Sequence, residues 1–172
     1  MEKVNVKIKG IVPLLVHKYN IASTDDKAKR ADKQYSIEDD AQKALYFDEE
    51  IGCYAPSTWI EASLRETAKD FKQGKKTYKN TILSSVFCES EKIPLHKKTY
   101  DEIDVRAVVI QRNRIAKGRP KFNTWELEFV LCFDETRIKK DILKQILEEA
   151  GATKGIGDYR PKFGRFKVVE FK

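Results

Sequence analysis

The stretch from Gly151 to Phe171, GATKGIGDYRPKFGRFKVVEF, joins a helix pattern to a strand pattern through a loop rich in glycine and positive charge. Gly155, Gly157 and Gly164 stand among Lys154, Arg160, Lys162, Arg165 and Lys167, with Tyr159 and Phe163 between the cations. Glycine lets a backbone approach a ligand closely and reach positive φ. Successive N–H groups in such a loop can form an anion-binding concavity, and the aromatics offer faces on which bases stack. The plainer alternative is a connection between two elements with solvated charges. Before the loop, Ile138, Ile142, Ile146 and Leu147 recur at helical spacing after an Asp134/Thr136 cap region, and Gly151 suits the C′ position. After it, Phe166 and Val168 alternate with Lys167, as in a half-buried strand.

Upstream, Ile103 to Ile115 reads as a long strand in which Arg106, Arg112 and Arg114 share one parity. Lys117-Gly118-Arg119-Pro120 then reads as a turn, and Thr124 to Phe133 as the returning strand, with Trp125, Leu127, Phe129, Leu131 and Phe133 on its core face. No acid occurs from Arg106 to Trp125, so Arg106, Arg112, Arg114, Lys117, Arg119 and Lys121 form the best-localised positive patch. A cationic edge also guards a sheet against pairing with another sheet.

At the amino terminus, Val4, Val6 and Ile8 alternate with Asn5, Lys7 and Lys9, a strand that Pro13 interrupts or ends. His17 follows, as a candidate general base or an ordinary surface residue. Residues 18–43 are polar and aperiodic, and read as an inserted, mobile loop with a short helical piece. Leu45 to Tyr54 reads as a hairpin that Pro56 stops. Thr58 and Glu61 then form a capping box, with Ile60, Leu64, Ala68 and Phe71 on one face of a helix ending near Gly74. Thr81 to Cys88 reads as a short apolar strand. With the insertions set aside, the order is βαββαβ: an α+β, ferredoxin-like (RRM-like) core with hairpin and loop insertions.

The 172 residues, 41% hydrophobic, suffice for one domain spanning 1–172. A formal net charge of +7 favours nucleic acid or another polyanion as partner. MEKVNVKIKG shows no secretory signal, and no apolar run spans a bilayer, so the expected location is the cytoplasm, without membrane contact. Cys53, Cys88 and Cys132 are odd in number and scattered, which fits buried thiols rather than disulfides or a metal site. No P-loop, zinc spacing or nucleophile elbow is present, and no cofactor is expected.

A βαββαβ domain with a basic glycine loop between its second helix and last strand resembles the RAMP superfamily, the RNA-binding proteins of CRISPR systems. Tyr54-Ala55-Pro56-Ser57-Thr58-Trp59-Ile60-Glu61-Ala62-Ser63-Leu64-Arg65 is similar to the Pro-Gly-Ser-Ser…Leu-Arg segment opening the first helix of their backbone subunits, with Ser57 where the family has glycine. Gly155 to Arg160 and Phe163 to Phe166 resemble the family's glycine loop and the strand after it. Compact phage- and prophage-encoded proteins share this ending. The resemblance implies a non-catalytic binder of single-stranded nucleic acid, RNA favoured over DNA. Weak sequence preference is expected because the visible contacts are cationic rather than base-reading, and the resemblance implies a homo-oligomer along the strand or a place within a CRISPR-like complex. The binding residues expected are Arg106, Arg112, Arg114, Lys117, Arg119, Lys121, Gly155, Gly157, Tyr159, Arg160, Lys162 and Arg165. Two alternatives stand beside this. One is a metal-independent endoribonuclease of the CRISPR RNA-processing type, with His17 taking the proton of a ribose 2′-OH. The other is a phage protein whose partner is another protein.

Overall fold

The computed structural model describes residues 1–19, 36–110 and 112–172, and within the central hairpin the backbone alone at 108, 110 and 113–115. Most of the insertion expected at 18–43 lies outside the described residues. Its end forms helix α1 (Ile37–Lys43), capped by the Ser36 hydroxyl, which accepts the Asp39 N–H at 3.3 Å.

The core is one antiparallel sheet, ordered β12 (Phe166–Phe171), β1 (Glu2–Gly10), β11 (Glu126–Phe133), β7 (Val86–Cys88). Along the chain, helix α2 (Ser57–Thr67) lies between β1 and β7, and α4 (Lys140–Glu149) lies between β11 and β12. This is the expected βαββαβ arrangement. The alternation read in the sequence decides which face is inside. Val4, Val6 and Ile8 on β1 pair in register with Leu131, Phe129 and Leu127 on β11, and all are buried. Ile60, Leu64 and Ala68 from α2, and Leu143, Ile146 and Leu147 from α4, complete the same cluster. Each such side chain contributes about 1.5–3 kcal/mol when fully buried. Cys53, Cys88 and Cys132 are free and buried, and burial pushes the Cys88 thiol well above its usual range.

The insertions build smaller sheets beside the core. Strands β3 (Phe47–Asp48), β4 (Gly52–Pro56) and β8 (Lys92–Pro94) form one. Strands β2 (Leu14–Leu15), β10 (Asn113–Phe122) and β9 (Glu102–Ile110) form another. A short hairpin, β5 (Lys72–Gln73) with β6 (Lys76–Thr77), carries Gly74, so α2 ends at Thr67 rather than near that glycine.

Four local expectations are corrected. First, Asn113 pairs with Ile110, so the chain reverses between them, with Arg112 at φ 69°, and not at Lys117-Gly118-Arg119-Pro120. Gly118 sits within β10 because α1 packs there: a Cβ on it would lie 2.6 Å from the Ile37 carbonyl oxygen. Strand β11 consequently pairs with β1 and β7, not with the preceding strand. Second, Thr81 to Cys88 is not one strand but helix α3 (Lys79–Ser85) followed by β7. Third, α2 is capped at Pro56 without a side-chain hydrogen bond. Glu61 instead accepts the Cys88 N–H at 3.0 Å, satisfying the outer edge of β7. Fourth, Gly151 is not a C′ residue. The helix continues through a π-helical turn (Ala150–Lys154) and ends at Gly155, φ 70°. Gly151 lies against the Phe166 carbonyl, where no Cβ fits.

Candidate nucleic-acid interface

The glycine loop closes on itself before it offers anything to a ligand. The Gly155 N–H donates to the Ala150 carbonyl at 2.8 Å, Ile156 to Gly164 at 2.9 Å, Asp158 to Leu15 at 2.8 Å and Gly164 to Pro13 at 2.9 Å. These donors are occupied and do not form the anion-binding concavity that the glycine spacing suggested. Gly164 is required by geometry: at φ 74°, a Cβ would overlap the Ile156 carbonyl oxygen. Gly157, at φ 80°, packs against Leu15 in the same way. The loop therefore presents side chains rather than backbone.

Those side chains meet the β9–β10 hairpin. The Arg106 guanidinium lies over the Tyr159 ring at 4.8 Å and over the Phe163 ring at 5.1 Å. The two rings meet edge-on with centroids 6.0 Å apart. Asp104, two residues away and on the same side of the strand, fixes Arg106 through Nε at 2.5 Å and Nη2 at 3.0 Å. Arg119, opposite Asp104 in register, places its Nε 2.6 Å from the Asp158 carboxylate, although the atoms are not aligned as a hydrogen bond. The Arg119 side chain is only 12% exposed. The two basic segments recognised separately in the sequence thus form one surface, with Tyr159 49% exposed upon it at φ 58°.

The cations there divide by role. Arg106 and Arg119 join hairpin to loop, and Lys121 pairs with Glu102 at 2.9 Å at the hairpin base. Arg165 donates from Nε to the Pro161 carbonyl at 2.9 Å. Lys117 and Lys162 have no carboxylate partner among the described residues. Arg112 is at the hairpin tip, and Arg114 pairs in register with Val109, out of step with Lys117, Arg119 and Lys121. The structure does not bring these two to the loop. Beside Tyr159 opens a groove of about 550 Å³, lined by Glu66, Thr153, Lys154, Gly157, Asp158, Tyr159, Arg160 and Pro161. Glu66 reaches it from the last turn of α2, and Asp70, just beyond that helix, pairs with the lining residue Lys154 at 3.7 Å. Neither drew notice in the sequence, because nothing local marks an acid on α2 as facing a loop some ninety residues later. Asp104 was legible: residues two apart on a strand share a face.

His17 lies in the same region. Burial pushes its pKa down, Lys117 and Arg119 push the same way, and Asp158 and Asp40 oppose them. Its Nδ1 is buried with no hydrogen-bond partner among the described residues. His96, at φ 54°, stands in the loop after β8.

The outward face of the core sheet differs from this surface. On its two central strands it carries Lys3, Asn5, Lys7 and Lys9 opposite Cys132, Val130, Glu128 and Glu126. Lys7 pairs with Glu128 at 2.7 Å and Glu126 at 3.4 Å. No His, Cys, Asp or Glu group suited to a metal ion occurs among the described residues, and none of their helices is long and apolar enough to cross a membrane.

No family model matches the chain, and no curated protein matches it. Solved structures do. A chain of the type III-B Cmr-beta complex bound to cognate target RNA aligns with a TM-score of 0.63 at 11% identity, over 99% of this chain and 59% of that one. Cmr6 from Pyrococcus furiosus aligns with a TM-score of 0.50 at 11% identity, over 96% of this chain and 97% of that one. The chain spans 59% of the length of the first of these. At this identity the likeness is one of fold, and it agrees with the ferredoxin-like core that the strand order of the main sheet defines.

Proposed function

We propose that this protein binds single-stranded nucleic acid, RNA in preference to DNA, on the face where the glycine loop meets the β9–β10 hairpin. One observation carries the reading. Arg106 and Phe163 hold Tyr159 half-exposed, and Lys117, Arg160, Lys162 and Arg165 belong to the same two segments. A base stacks on Tyr159 while the cations neutralise phosphates. Gly155 and Gly157 contribute by shaping the loop, and Lys121 stands at the hairpin base, while Arg112 and Arg114 lie apart from this face. The similarly folded chain from a complex bound to cognate target RNA supports the choice of RNA. Contacts of this kind read the backbone, so sequence preference is weak. Each phosphate neutralised on a single strand adds roughly 0.7 to the log–log salt slope. Several copies, or partners in a CRISPR-like complex, line up along one strand.

The test is binding of labelled single-stranded RNA, single-stranded DNA and duplex at two salt concentrations. Steep salt dependence with RNA bound tightest is expected. Negligible low-salt affinity for all three refutes the reading and turns the cationic face toward an acidic protein, which a pull-down would identify.

A second reading rests on His17. Its lowered pKa keeps the imidazole neutral at pH 7, and Lys117 and Arg119 lie close enough to affect it. A neutral imidazole beside two cations suits removal of a 2′-OH proton. RNA cleavage in chelator that is lost in His17→Ala establishes this reading. Binding without cleavage, retained in His17→Ala, leaves the protein a binder.

A further inference from the structure

Two carboxylates stand where helix electrostatics disfavour them. Glu66 lies in the last turn of α2 and Asp70 just beyond its end at Thr67. The carbonyls of a helix C-terminus already carry partial negative charge, so cations are stabilising there and carboxylates are not. Glu66 instead reaches across the groove to the glycine loop, and Asp70 meets Lys154, on the groove wall, at the end of the π-helical turn. Arg160 Nη1 lies 3.5 Å from Glu66 Oε2, and Lys154 Nζ lies 3.7 Å from Asp70 Oδ2. All four side chains are partly exposed, and pairs of this length and exposure contribute little to stability. A contact that contributes little is readily exchanged.

We propose that Glu66 and Asp70 are internal counter-ions standing in for phosphate groups. In the free protein they hold Arg160 and Lys154 at the groove wall, and the phosphates of a bound strand displace them. This rests on the nucleic-acid reading of the same face. The exchange has a cost: each cation leaves a carboxylate before it meets a phosphate, and that carboxylate then stands near the strand. The two acids therefore hold affinity below what the cations alone would give. They also favour a ligand that delivers two phosphates together, a polynucleotide, over one with a single phosphate.

The experiment compares wild type with Glu66→Gln/Asp70→Asn and with Glu148→Gln/Glu149→Gln, which removes the same charge from exposed positions on α4. Affinity for a labelled oligouridylate and for inorganic pyrophosphate is measured, the latter by calorimetry, with thermal unfolding as the fold control. Glu66→Gln alone serves if the double variant unfolds early. The groove variant is expected to bind RNA about three- to tenfold more tightly than the α4 variant. Equal gains in the two variants overturn the proposal while leaving the nucleic-acid reading intact, and a loss of affinity in the groove variant also overturns it. If RNA binds no form of the protein but pyrophosphate binds the groove variant more tightly, the counter-ion role stands and the nucleic-acid reading falls. Failure of the groove variant to gain affinity for either probe overturns the proposal.

Discussion

Asp158→Asn separates what the Arg119–Asp158 pair does for the fold from what it does for the charge. The carboxylate lies 2.6 Å from Arg119 Nε, and Arg119 is 12% exposed while Asp158 is 34% exposed. Removing one partner of a fully buried pair costs about 3–5 kcal/mol, whereas an exposed pair contributes about 0.2–1 kcal/mol. This pair lies between those limits, which puts the cost at about 1.5–3 kcal/mol. For a chain of this size, each kcal/mol lowers the unfolding midpoint by about 2–4 °C, so a fall of about 3–12 °C is expected. Arg119→Met should cost less, since it removes the buried charge and keeps much of the volume. Asp158→Asn should then cost almost nothing in the Arg119→Met background, and the double-mutant cycle isolates the pair. Thermal unfolding followed by circular dichroism reads all four proteins. RNA affinity supplies a second test. If charge alone ruled, losing an acid from a cationic face would tighten binding. If Arg119–Asp158 holds the hairpin to the loop, binding weakens. An unchanged midpoint, equal costs in the two backgrounds, or tighter RNA binding would refute the reasoning.

Gly164→Ala should destabilise by more than about 3 kcal/mol, combining a positive-φ penalty of roughly 1–2 kcal/mol with overlap on the Ile156 carbonyl; a midpoint shift under about 2 °C would mean that the loop rearranges freely. Arg160→Glu should reduce RNA affinity by about tenfold or more, and Lys140→Glu, with the same charge change at the start of α4, should change it much less; equal losses measured by fluorescence anisotropy would mean that only net charge matters. His17 gives a pH signature whose sign follows from its lowered pKa and from the groups facing it, Lys117, Arg119, Asp158 and Asp40. The unfolded chain takes up a proton near the ordinary value of 6.5 while the folded protein does not, so stability is full above that value and falls as pH drops below it. Chemical unfolding across this range should show a shallower acid loss in His17→Gln than in wild type, and parallel curves would refute the assignment.

The parts legible in the sequence are those where one physical rule acts alone. Val4, Val6 and Ile8 alternate because one face of β1 is core, and Leu127 to Phe133 alternate for the same reason, so both strands were found. Ile60, Leu64 and Ala68 mark α2 by period alone. The misread segments are those where two causes produce one residue type. Lys117-Gly118-Arg119-Pro120 has the composition of a turn, yet Gly118 is small because α1 lies on it, and the Pro120 carbonyl accepts the Val16 N–H at 3.0 Å. Thr81 to Cys88 is apolar on both sides of a helix-to-strand change that no period could mark over so few residues. At the site, the clusters of cations were visible. Their long-range pairing was not, because Asp158 and Glu66 neutralise Arg119 and Arg160 across distances that only the fold closes.

The same fold also removes the most obvious alternative surface. RRM-like domains bind RNA on the open face of the sheet, through aromatics on the central strands that stack on bases. Here the outward residues of β1 and β11 include no aromatic. Their lysines are opposed by Glu126 and Glu128, so the two central strands offer neither a stacking platform nor a strong positive field, and Phe87 is exposed out on edge strand β7. With charge balanced there, the net +7 must be expressed elsewhere. The glycine loop and the hairpin supply such a place, and Tyr159, half-exposed, supplies an aromatic beside the cations. A shared core therefore does not carry a shared site. The insertion that pairs β10 with β9 brings Arg106 to Tyr159, and it moves the candidate interface from the sheet to its edge.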